Sequence, residues 1–339
     1  MKTINNRPTL TVAIPSYNVE SFLEECVNSL LISIDNANKL EILIINDGST
    51  DNTLEVAKIL SKKHKPVNLI NKKNGGHGST INIGLNNAKG KYFKLLDGDD
   101  FLNTSNIQAF ISILENTNAD IILTDYVENY YQTKKIKNIK NYTNFKEFTV
   151  YNKTTAPFDN KGPLLSTTTF KTSLFKQNPF RIDEKSYYVD MEYNLFTYLR
   201  SSTFMYINMP LYFYRLERDG QSMQHESMIK NHKQHEKVIL RLCTELKEIK
   251  YSQKDLFSYE FLKKSLYHPM VLSHFQLLTE KNKSAKDFRN FIRNLKKCEA
   301  ADFDIDTYGK IIKLHSKFYG LSLPLNPFLR YLSERNKKQ

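Results

Sequence analysis

The sequence predicts an α/β fold, a mostly parallel central sheet flanked by helices, followed by a helical C-terminal region. Three observations carry this. Short apolar, β-rich runs alternate with segments of helical spacing over the first ~125 residues. Each run closes on a polar, Gly- or Asp-rich turn. From about Gln224 onward the periodicity is helical alone. Such β-α-β-α alternation implies parallel strands covered on both faces. Two domains follow, residues 1–223 and residues 224–339.

In chain order, Leu10 to Ile14 reads as a strand ending at Pro15. Apolar Phe22, Leu23, Cys26, Val27, Leu30, Leu31 and Ile34 predict a helix over 20–34. A buried-type strand over 41–45 closes on Asn46-Asp47-Gly48-Ser49. A helix over 52–64, capped by Asp51 or Asn52, and a strand over 67–70 lead to the Gly-rich turn 74–78. Ser79 would cap the next helix, through Ala88. The strand 92–96 ends at Asp97-Gly98-Asp99-Asp100, before a helix over 104–116 and a strand over 120–127. Residues 129–163, rich in Asn, Lys, Thr and Tyr, read as an irregular insertion. A strand over 164–170, a helix over 190–199 and a strand over 210–215 complete the first domain. Helices are expected over 225–250, 255–279, 285–298 and 307–319.

The chemistry gathers at the turns, and ligands of parallel sheets bind beyond the carboxyl ends of strands. Asp97, Asp99 and Asp100 crowd three carboxylates into four residues, which is costly unless a cation shares the site. Hard oxygen ligands suit Mg²⁺ or Mn²⁺ beside a phosphate-bearing substrate, while an Asx-rich turn would use the same residues. Asp47 could accept hydrogen bonds from a base or ribose, or simply make a turn. Asn74-Gly75-Gly76-His77-Gly78-Ser79 offers backbone N–H groups at a helix start, a geometry that favours an anion. His77 there could contact a diphosphate or sugar, or be an ordinary loop histidine. Asp190 and Glu192 stand near a helix start, where a carboxylate is held ionised and suits a general base, or caps the helix. Arg215 and Arg218 could reach phosphate oxygens or decorate a strand-to-helix turn.

Taken in order, these pieces resemble the family 2 glycosyltransferases of the GT-A fold. The matching stretches are Val12 to Asn18, Ile44 to Asp51, Asn74 to Gly84 and Ala88 to Asp100, with Asp190 at the later acidic motif. The resemblance covers residues 9–223, and 224–339 match no motif. It implies an inverting sugar transfer from a nucleotide sugar, usually UDP-linked, assisted by Mn²⁺ or Mg²⁺. It implies a nucleoside held by Pro15, Tyr17 and Asp47, and Asp97 near the ribose and metal. It implies Asp99 as the metal ligand and Asp190 as the catalytic base. Asn82, Gly98, Arg215 and Arg218 are expected to complete the nucleotide-sugar site. Two departures stand out. Asn46 replaces the first Asp of the common Asp-Asp-Gly-Ser, so Asp47 must carry any base contact. Val189 replaces the Glu of the usual Glu-Asp pair, which leaves Glu192 as the alternative base.

Composition bounds the remaining choices. The chain has 339 residues, 40% of them hydrophobic, enough for a core without disulfide or metal staples. Cys26, Cys243 and Cys298 are widely spaced and form no CxxC pair, which fits a reducing compartment. The polar start lacks a signal-peptide pattern and no run approaches a membrane span, so a cytoplasmic protein is expected. Residues 1–224 carry 26 Lys and Arg against 23 Asp and Glu, a net of +3; the rest carry 23 against 13, a net of +10. That basic tail suits a glycan, teichoic-type or lipid-linked acceptor, and peripheral contact with an anionic membrane. It equally describes a solvated Lys-rich face. Homo-oligomerisation through the C-terminal helices is allowed by the pattern. No nucleic-acid motif accompanies the charge, the dinucleotide fingerprint is missing after the first strand, and the Walker-A pattern is absent. The alternative function is a non-catalytic nucleotide-sugar or glycan-binding module on the same fold. Such a module would keep Asp47 and shed the acidic residues, whereas Asp97, Asp99 and Asp190 all remain.

Overall fold

The computed structural model describes residues 7–31, 38–159, 162–217, 225–280 and 285–297. Cys298, Arg218 and the helix expected over 307–319 lie outside them, as does the expected domain boundary at 223/224. The described residues form two compact units. The first holds 7–158 and 163–217; the second holds 225 onward with 159 and 162.

The first unit is built on one ten-stranded sheet. Strands β1 (Leu10–Ser16), β2 (Leu40–Asn46), β3 (Val67–Asn71) and β4 (Tyr92–Leu95) are parallel, in the order β3-β2-β1-β4. Every residue of β2 is buried, as its continuous apolar run requires. Beyond β4 come β9 (Thr168–Lys171), β6 (Ile121–Tyr130), β10 (Thr203–Leu216) and β5 (Phe101–Leu102). β6 and β10 are parallel, whereas β9 and β5 run against their neighbours. The sheet is therefore mostly parallel.

Helices α1 (Leu23–Asn28), α2 (Thr53–Lys63), α3 (His77–Asn87), α4 (Thr104–Asn116), α5 (Thr172–Gln177) and α6 (Val189–Arg200) flank it. α3 packs close on β1 because Gly84 leaves room: a Cβ there would stand 2.8 Å from the Ala13 Cβ. α1 is shorter than its apolar spacing suggested. α3 begins two residues before Ser79, with Gly76 as its N-cap. Ser79 instead sits in the first turn and donates its hydroxyl to the Gly76 carbonyl at 2.7 Å.

The insertion over 129–163 is more ordered than its composition implied. β7 (Ile136–Ile139) pairs with β6, and β8 (Val150–Asn152) pairs with β10. Tyr142, Phe145, Phe158 and Tyr206 make a small aromatic core beneath it, with ring centroids 4.9–6.4 Å apart. β10 runs past Pro210, where the register with β6 shifts; a bulge tolerates the missing N–H.

In the second unit, α7 (His225–Lys230), α8 (His232–Ser252), α9 (Leu256–Leu262), α10 (His268–Glu280) and α11 (Ala285–Lys297) are all helical, with a π-turn over Lys263–Tyr267. Asp255 caps α9 through the Ser258 N–H at 3.0 Å. Among the described residues no helix is long and apolar enough to cross a membrane.

Candidate active site

β1 lies between β2 and β4, so the chain runs out to β3 on one side and returns to β4 on the other. The crevice beyond the carboxyl ends of β1 and β4 is the topological switch point, where such sheets bind ligands. Gly98 closes the two ends together. Its N–H donates to the Pro15 carbonyl at 3.1 Å, and a Cβ at Gly98 would meet that oxygen at 2.9 Å. Tyr17, just past β1, is 49% exposed.

The three carboxylates after β4 have different surroundings. Asp100 is 1% exposed and structural: it accepts the Arg215 N–H at 2.7 Å and the Tyr212 hydroxyl at 2.6 Å. Burial, with Asp99 and Asp97 beside it, pushes its carboxyl well above the usual range. Asp97 is half-buried, with His77 Nε2 3.5 Å and Tyr212 Oη 3.4 Å from its two oxygens. Burial raises its pKa and His77 opposes the rise, while the nearby Asp99 and Asp190 add to it. Asp99 is also half-buried.

Asp190 lies in the first turn of α6 after Tyr188, whose φ of 64° is left-handed. Burial raises its pKa, while His77 and the N–H groups of Asp190 and Met191 oppose the rise. Glu192, its alternative, is fully buried and accepts the Asp183 N–H at 2.8 Å. The fold thus brings Asp97, Asp99, Asp190 and His77 together, while Glu192 is buried and engaged by the Asp183 backbone.

Asp47 is 2% exposed, and its oxygens accept the Gly75 and Gly76 N–H groups at 2.9 and 2.8 Å. Lys72 pairs with the same carboxylate and donates to Ser79 Oγ at 2.9 Å. The sequence expectation gave Asp47 to a nucleoside; in this structure its oxygens fasten the glycine loop instead. Asn46 donates to Asn71 Oδ1 at 2.7 Å and accepts the Ser49 hydroxyl at 2.6 Å, linking the ends of β2 and β3.

Two residues expected at the ligand are engaged within the protein. Asn82 is buried, and its amide exchanges hydrogen bonds with the Ile182 backbone at 2.8 and 2.9 Å. It therefore anchors the segment leading to Asp190. Arg215 is 3% exposed; its guanidinium pairs with Glu25 at 2.8 Å and lies over the rings of Phe22, Phe101 and Tyr131. Lys72 and Tyr212 escaped the sequence reading, because a lysine past a strand and a tyrosine within one carry no local signature.

Residues 11–182 match glycosyl transferase family 2. The chain is 31% identical over 244 residues to an uncharacterized glycosyltransferase, MG060, of Mycoplasma genitalium, covering 70% of this chain and 78% of that protein. It is 35% identical over 115 residues to the uncharacterized glycosyltransferase EpsJ of Bacillus subtilis, covering 34% of this chain and 33% of EpsJ. It thus spans about a third of EpsJ's length. In fold it resembles residues 1–349 of S. aureus TarS, crystallised with UDP-GlcNAc, with a TM-score of 0.65 and 18% identity, covering 86% of this chain and 83% of that one. The central sheet is that of the GT-A fold. With the family match running through β1 and β4 up to the segment that precedes Asp190, the chain belongs to glycosyl transferase family 2.

Proposed function

We propose that this chain transfers a sugar from a UDP-linked donor to a hydroxyl of a cell-surface glycan, teichoic-type or lipid-linked acceptor, with inversion at the anomeric carbon. The observation that carries this reading is the gathering of Asp97, Asp99, Asp190 and His77 at the switch point of the sheet. The UDP-GlcNAc in the TarS crystal structure supports the donor class.

The acidic turn fits a divalent ion. Asp97 and Asp99 offer hard oxygens, and the crowding that raises the Asp97 pKa is relieved by a cation. Among the described residues no three His, Cys, Asp or Glu side chains are grouped to hold a metal by themselves. Donor diphosphate oxygens would complete the shell, as is usual for Mg²⁺. Asp99 and Asp97 would hold Mn²⁺ or Mg²⁺, whose positive charge would stabilise the departing diphosphate.

Asp190 takes the proton of the acceptor hydroxyl as that oxygen bonds to the anomeric carbon. The bond to the diphosphate breaks on the opposite face, which gives inversion. A carboxyl raised by burial has a pKa nearer the working pH, which strengthens a general base. The burial of Glu192 supports Asp190 in this role. Tyr17 is open to stack on the base beside Pro15, and Asp47 reaches the base only when Lys72 shares or releases it. On this reading the chain works in the cytoplasm. Contact with an anionic membrane is supported by exposed Tyr251, Leu256 and Phe257 around the α8–α9 turn, next to exposed Lys254.

The test combines binding and turnover. UDP with Mn²⁺ should raise the melting temperature, and Asp99→Ala should abolish the metal-dependent part of that rise. Asp190→Asn should bind UDP as the wild type does and lose about 10²- to 10⁴-fold in transfer rate, the usual contribution of a general base. Wild-type turnover in Asp190→Asn would remove the base assignment.

A further inference from the structure

We propose that His77 contacts the transferred sugar of the donor and sets which sugar is accepted, an inference that rests on the UDP-sugar reading above. His77 opens α3, directly over the crevice. Its Nε2 stands 3.5 Å from Asp97 Oδ1, yet that atom is buried and makes no hydrogen bond among the described residues. The ring as a whole keeps 37% of its side-chain surface exposed. The imidazole therefore stands beside Asp97 and close enough to Asp190 to act on that carboxyl as well.

The position is held, not incidental. Gly75 and Gly76 are fastened from below by Asp47. The Lys185 N–H donates to the Gly75 carbonyl at 2.7 Å from the side. Gly76 has a φ of 80°, and a Cβ there would meet the Lys185 backbone at 3.0 Å. A Cβ at Gly78 would fall 1.9 Å from the Asp183 carbonyl. Two glycines and two loops therefore fix the imidazole in place.

Geometry then assigns its target. The diphosphate belongs at Asp97 and Asp99, and the acceptor hydroxyl at Asp190. The anomeric carbon must lie between them, with its sugar ring against the group that stands near both carboxyls. That group is His77, whose partly exposed imidazole can donate to or accept from a sugar hydroxyl according to tautomer. One such hydrogen bond distinguishes epimers that present the hydroxyl in opposite directions.

The experiment measures dissociation constants for UDP, UDP-GlcNAc, UDP-GalNAc, UDP-Glc and UDP-Gal with Mn²⁺, for wild type, His77→Ala and His77→Gln. The wild type should bind one UDP-sugar more tightly than UDP. His77→Ala should keep the UDP value within about twofold and weaken the preferred UDP-sugar by about five- to tenfold, the span of one net hydrogen bond. Its preference among epimers should flatten, and His77→Gln should recover part of it. An equal weakening of UDP and UDP-sugar would assign the imidazole to the diphosphate and overturn the proposal. Unchanged discrimination in His77→Ala would also overturn it. A folded wild type that binds neither UDP nor any UDP-sugar overturns the donor reading itself, and the sugar contact with it.

Discussion

Lys94, in the middle of β4, has no exposed surface. Its ammonium donates to the Ser166 carbonyl at 2.8 Å and the Thr168 carbonyl at 3.5 Å, tying β4 to the approach to β9. No carboxylate pairs with it among the described residues, so burial alone lowers its pKa to about 7. The unfolded chain holds that proton up to about pH 10.4. Between those values the unfolded state binds more protons, and stability rises with pH. Lys94→Met keeps the length of the side chain and removes the titration. Urea midpoints followed from pH 7 to 9.5 should climb more in wild type than in Lys94→Met; parallel curves would show that Lys94 stays charged in the fold. At the same scale, local spacing made Asp97, Asp99 and Asp190 legible, because each lies within a few residues of a strand end or helix start. The ion pair of Arg215 was not legible, because its carboxylate partner, Glu25, lies 190 residues earlier in the chain. The anchoring contact of Asn82 was hidden for the same reason: Ile182 stands 100 residues away.

At the scale of elements, the helical unit carries a buried histidine cluster between α8 and α10. His235 Nδ1 lies 3.0 Å from His274 Nδ1, with the rings stacked 5.2 Å apart, and His274 packs edge-on against Phe291 of α11. Burial depresses His235 to about pKa 4 and His274 to about 3, with His235 and His232 adding to the shift of His274. Both stay neutral in the fold, whereas in the unfolded chain they take protons below about pH 6.5. Stability is therefore present above that pH and drains away as pH falls toward 4. His274→Phe removes one site from a core already lined by a phenyl ring. Far-UV thermal midpoints from pH 7 to 4.5 should drop less steeply in His274→Phe than in wild type. An equal slope would place the acid sensitivity elsewhere. Most helices were readable from 3.6-residue spacing, including α4 to the residue, whereas the six-residue α5 was too short to show a period. The π-turn and the aromatic core of the insertion were not, because both depend on packing between elements rather than on periodicity within one.

At the scale of the whole molecule, charge and exposure point the same way in the second unit. Tyr251 is 65%, Leu256 49% and Phe257 41% exposed, and Lys247 lies over the Tyr251 ring at 5.7 Å. Apolar tips with lysines beside them suit the interface of an anionic bilayer. The chain contains no tryptophan, so Phe257→Trp adds a reporter without background. Its emission should shift to the blue with phosphatidylglycerol vesicles at low salt and stay unchanged with phosphatidylcholine. No shift with either, while the protein remains in the supernatant, would end the membrane proposal.

The sequence alone determined the α/β class, the family and the order of most strands and helices along the chain. Strand and helix periods and turn chemistry are local properties, written within a dozen residues. Tertiary structure alone decided which polar side chains remain available to a ligand. Asp47, Asn82, Asp100 and Arg215 all look like ligand residues in the chain, and the fold engages each with a partner brought from afar. A buried polar group must find its hydrogen bonds inside the protein. The distant contacts that satisfy it are fixed only when the sheet and its loops come together, and His77 is left facing the crevice by the same process.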